Sequence, residues 1–126
     1  MAEITNLTYV EEIQLDRDQL HALYVRFGPI QADRNLNQSL EDLALWLARV
    51  QRALKSGCHA DIHQGAEDLK RIAQRLGMTS LARVARDVAE QCATKDPAAL
   101  PATLARLTRV GERSLIAVWD LQDMSL

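Results

Sequence analysis

Cysteine is scarce in this chain of 126 residues: Cys58 and Cys92 are the only two, far apart and outside any CxxC pair. That excludes a disulfide framework and a cysteine-based zinc ribbon, and it leads us to expect two reduced thiols in a cytoplasmic protein. Helix breakers are few as well, with three prolines and five glycines. Aromatic residues make up 4 %, too few for a base-stacking platform. Fifteen basic residues face seventeen acidic ones, for a net charge of −2, so no positive field is available to displace counterions from nucleic-acid phosphates. No run approaches the roughly 18 apolar residues that a membrane helix needs. The first fifteen residues include Glu3, Glu11 and Glu12 with no continuous apolar stretch, so no targeting signal is expected there.

What remains is helical chemistry. Apolar residues make up 48 % and charged residues 25 %, dominated by side chains (Asp apart) that lose little rotamer freedom in a helix. Residues 1–15 show no clean period and read as an N-terminal arm; residues 16–126 read as one domain. Asp16 and Gln19 form a capping-box pattern, followed by Leu20, Leu23, Tyr24 and Phe27 on one helical face and by the stop Gly28-Pro29. A second helix is expected to start at Ser39–Asp42, or earlier near Ala32, with the seam Leu40, Leu43, Leu47, Val50 and Leu54, a stripe widened by Trp46, and a close at Ser56-Gly57. A third spans His59 to Leu76, with Gly77 as terminator and the seam Ile62, Ala66, Leu69, Ala73 and Leu76. Turned away from that seam is a polar stripe of His63, Glu67, Lys70 and Gln74. Thr79 or Ser80 should cap a fourth helix, with Leu81, Val84, Ala85, Val88 and Cys92 facing inward. Asp96-Pro97 should start the last, through Leu104, Leu107, Gly111, Ser114, Val118 and Leu121, with Pro101 near its beginning. Short connections favour antiparallel neighbours. The expected fold is all-α: an up-down antiparallel four-helix bundle with an additional N-terminal helix.

One stretch carries more than a fold. Ala53-Leu54-Lys55-Ser56-Gly57, then Ala66-Glu67-Asp68-Leu69-Lys70-Arg71, then Leu76-Gly77-Met78 resembles the histidine-containing phosphotransfer (HPt) domains of bacterial phosphorelays. That family reads Ala-Leu-x-x-Gly-Asp, then Ala-His-x-Leu-Lys-Gly, then Leu-Gly-Ala. The resemblance covers about residues 16–122 and aligns Lys70 with the family's lysine and Gly77 with the glycine that ends the same helix. It departs at the centre: Glu67 replaces the phosphorylatable histidine, and Arg71 replaces the small glycine after the lysine. In a working domain an exposed imidazole attacks the phosphoryl group on a receiver aspartate, and the lysine one turn on balances charge on the phosphoryl oxygens. Glu67 cannot form a phospho-imidazole and its charge opposes an incoming phosphoryl group. The resemblance therefore implies a degenerate member that binds a response-regulator receiver domain or a histidine kinase through His63, Glu67, Lys70, Arg71 and Gln74, with no phosphotransfer of its own and no cofactor. Nothing in the sequence sets its oligomeric state.

Blander and rival readings stand beside this one. Glu67 and Lys70 also fit an ordinary exposed ion pair. His63 is an alternative nucleophile, although Lys70 then lies seven residues on, about 10 Å along the axis at 1.5 Å per residue. His59, His63 and Glu67, beside Cys58, have the spacing of a helical metal site, but Ala60 stands where the HExxH motif needs glutamate. Arg71, Arg75, Arg83 and Arg86 could share a surface and form a basic patch. Trp46 and Trp119 read as core or interface aromatics, and His21 has no acidic or nucleophilic companion in its stripe.

Overall fold

A computed structural model describes residues 12–94 and 98–124. Among them are five helices and no strand: α1 (Arg17–Phe27), α2 (Pro29–Ser56), α3 (His59–Arg75), α4 (Thr79–Thr94) and α5 (Leu100–Asp123). Each of α2 to α5 packs on its chain neighbour, and α5 returns to α2, which closes a four-helix bundle; α1 lies against α2. Leu20, Leu43, Ile62, Leu69, Met78, Leu81 and Val110 are wholly buried at its centre. Among the described residues, no helix is long and apolar enough to cross a membrane.

The helix ends follow local chemistry. The Asp16 carboxylate accepts the Gln19 amide at 3.2 Å and caps α1 as expected. Gly28 (φ +79°) ends it, its amide donating to the Tyr24 carbonyl at 2.9 Å. The second helix begins at Pro29, earlier than Ser39 or Ala32. Proline fits there because its fixed φ suits a first turn and its missing N–H would have no partner in it. Buried Ala32 and Leu36 then extend the seam towards the N-terminus. Ser39 and Asp42 do not cap anything: Ser39 accepts a bond from Arg75 and Asp42 one from Gln38. The third helix ends as the spacing predicts. Met78 donates to the Ala73 carbonyl at 2.8 Å around Gly77 (φ +73°).

Gly77 has a second reason to be glycine. A Cβ there would lie 2.5 Å from the Asp16 carbonyl oxygen, and the Asp16 amide donates to the Gly77 carbonyl at 2.7 Å. Beside it, the Thr79 hydroxyl donates to the Gln14 carbonyl at 2.9 Å, and the Ser80 hydroxyl accepts the Gln14 amide at 2.8 Å. Thr79 and Ser80, expected as cap residues, thus tie down the end of the arm. Residues 1–11 of that arm lie outside the described residues. The last helix is described from Leu100, with Ala99 at the N-cap position and Pro101 in its first turn; the expected start at Asp96-Pro97 falls outside the described residues.

Candidate functional site

The polar stripe of α3 is outward, as its spacing requires. Ile62, Ala66, Leu69 and Ala73 point into the core, which turns His63 and Gln74 to solvent and leaves Glu67 and Lys70 half-buried at the edge. The Lys70 ammonium donates to both carboxylate oxygens of Glu67, at 3.3 and 3.4 Å. About a third of each side chain is exposed, 26 % for Lys70 and 32 % for Glu67, so water screens the pair but does not separate it. Lys70 therefore has its positive charge already matched by a carboxylate one turn away.

Arg71 is also engaged. Its guanidinium pairs with Asp68, and Asp68 accepts a further bond from Gln64 at 3.2 Å. That chain runs along α3 beside the Glu67–Lys70 pair. Asp68 and Gln64 lie outside the expected stripe; the i, i+3 spacing of Asp68 and Arg71 is the sequence signal for their pairing. Three of the four arginines of the expected patch have partners of their own. Arg71 holds Asp68, Arg75 reaches across to Ser39 on α2 at 3.5 Å, and Arg86 approaches Glu90 at 4.0 Å on its own helix.

The rival nucleophile and the metal reading gain nothing from the geometry. His63 is exposed, but Lys70 is turned to Glu67, and no hydrogen bond orients the imidazole among the described residues. Nor are any three His, Cys, Asp or Glu among the described residues grouped to hold a metal ion; His59, His63 and Glu67 remain strung along one helix. Cys58 occupies the N-cap position of α3 without a side-chain capping bond. Cys92 is half-buried, and burial raises its thiol pKa, the opposite of activation. Trp119 is 50 % exposed on α5, whereas Trp46 is half-buried beside α3 with the Arg49 guanidinium 4.8 Å from its ring centroid. His21 is exposed on α1.

The architecture is that of a histidine-containing phosphotransfer protein. The crystal structure of histidine-containing phosphotransfer protein B (HptB) from Pseudomonas aeruginosa PAO1 is similar to this chain with a TM-score of 0.81, over 89 % of this chain and 96 % of that one. Sequence identity is 18 %, so the similarity is one of fold. No protein-family model and no curated protein matches the chain.

Proposed function

We propose that the chain is an HPt-like signalling module of the bacterial cytoplasm. It binds a response-regulator receiver or a histidine-kinase domain through the outward face of α3, without relaying phosphate itself. The observation that carries this reading is the Glu67–Lys70 pair, 3.3 Å apart on the frame of an HPt bundle. On the resemblance, Glu67 stands at the phosphohistidine position and Lys70 at the lysine that would balance a phosphoryl group. Here the lysine is neutralised in advance by a fixed carboxylate, so the face keeps its shape and loses its nucleophile. His63, Arg71 and Gln74 border the pair and complete the docking surface. The single bundle domain from residue 16 is the unit that docks.

The test is a phosphotransfer assay with phosphorylated receiver domains of the host, comparing wild type, Glu67→His and His63→Ala, alongside a binding measurement with the same receivers and with host kinase domains. Wild type should bind a partner and take no phosphate, while Glu67→His becomes labelled. A labelled wild type whose label disappears in His63→Ala would make the protein a working relay. Failure to bind any receiver or kinase domain would remove the docking role.

A further inference from the structure

A second feature lies at the α2–α3 seam. A Cβ on Gly65 would meet Val50 Cγ2 at 2.5 Å and Trp46 Cε3 at 3.7 Å. Its absence lets α3 sink against α2 and places the Trp46 indole beside the α3 backbone. Over this floor opens a cleft of about 530 Å³, walled by Arg49, Arg52 and Ser56 of α2 and by Asp61 and Gln64 of α3. That volume is within the range of small-ligand sites. Arg49, Arg52 and Ser56 recur at i, i+3 and i+7, so all three project from one stripe of α2.

Neither Arg49 nor Arg52 makes an ion pair among the described residues. The Arg49 guanidinium lies over the Trp46 ring, 4.8 Å from its centroid, a cation–π contact that leaves N–H groups able to donate to an oxyanion. Two like charges three residues apart repel, and an anion held between them relieves that repulsion. Among the described residues, Asp61 is the one acidic side chain lining the cleft, against two arginines.

We propose that this cleft binds a phosphate group, held by Arg49 and Arg52 over the Trp46 floor. It stands independently of the signalling role proposed above. A free small anion and a phosphorylated side chain of another protein share this chemistry, and the probes separate them. In the full chain carrying Trp119→Phe, Trp46 is the sole indole and reports directly on the cleft. Inorganic phosphate and a blocked phosphoserine pentapeptide are titrated against its fluorescence, with circular dichroism confirming that every variant is folded. The expected result is a saturable change with half-saturation near 1 mM or below, on the order of that for a small charge-assisted site. Combining Arg49→Ala with Arg52→Ala should weaken it by about tenfold or more, and Asp61→Asn should tighten it by roughly threefold. Saturation by phosphate alone assigns a free anion; a tighter response to the peptide assigns a protein-borne group. Absence of saturation by either probe up to ~10 mM, or an affinity unmoved by the double arginine substitution, overturns the site.

Discussion

On the inward side of α3, Ile62, Ala66, Leu69 and Ala73 are each 0 % exposed. About a quarter-turn round the same helix, His63 and Gln74 face solvent and Glu67 and Lys70 sit at the boundary. Both stripes repeat at threes and fours, yet they answer to different constraints. The inward stripe is fixed by packing, where each methyl group has neighbours on all sides. Among the described residues the outward stripe holds one ion pair, Glu67–Lys70, so packing constrains its residues far less. On this contrast Glu67 is expected to add little to the fold, and its place at the centre of the outward face then points to what that face meets.

Four measurements break or sharpen that contrast. The largest effect is expected from Leu69→Ala, which opens a cavity in the wholly buried stripe and should cost about 2–5 kcal/mol in chemical denaturation. A cost below ~1 kcal/mol would show that the inward stripe is not the tightly packed side. Gly65→Ala should cost about 1–3 kcal/mol, because its Cβ meets Val50 Cγ2 at 2.5 Å and the valine must move. Glu67→Gln and Lys70→Met should each shift stability by no more than about 0.5 kcal/mol, as for a screened pair one turn apart. A loss of several kcal/mol from either would make the outward stripe structural, and Glu67 would no longer point to a partner.

The smallest effect concerns Tyr24, a half-buried residue of α1. Burial first, then its hydrogen bond to Asp33, raises the phenol pKa above 10.0, against a smaller opposing contribution from Gln122. The neutral phenol is thus the form the fold favours. Its contribution is fully present below the unfolded value and is lost as pH rises through the folded one. Titration of phenolate absorbance should show a late transition that Tyr24→Phe removes; an unchanged titration would show that Tyr24 ionises like an exposed phenol.

Much of this was legible in the sequence because it depends on neighbours along the chain. The Asp16 cap, the stops at Gly28, Gly57 and Gly77, and the seams of α2 and α3 follow from spacing and from the conformations glycine permits. The start of α2 was misread because Ser39 and Asp42 imitate a capping box while Pro29 offers an equally good first turn ten residues earlier. The cap residues Thr79 and Ser80 were recognised by type but not by task, since the backbone at Gln14 that they bond is sixty-five and sixty-six residues away. At the candidate site the spacing of the stripe was legible, with His63 and Gln74 exposed and Glu67 and Lys70 half-buried. The commitment of Arg71 to Asp68, and of Arg75 to Ser39, was not. A side chain chooses among several partners by distance, and pattern alone does not supply distances between helices.

The sequence by itself determined that this chain forms apolar-striped helices, where most of them end, and that glutamate stands at the centre of the outward stripe on α3. Those are consequences of periodicity, of glycine and proline conformations, and of residue identity. Only the tertiary structure decided that Lys70 spends its charge on Glu67, that the chain ahead of α1 is sewn to Gly77 and Ser80, and that Gly65 makes room for Trp46 beneath Arg49 and Arg52. Each of these depends on how closely separate segments or side chains approach in space, and that approach is set by the packing of the whole core rather than by any one stretch of the chain.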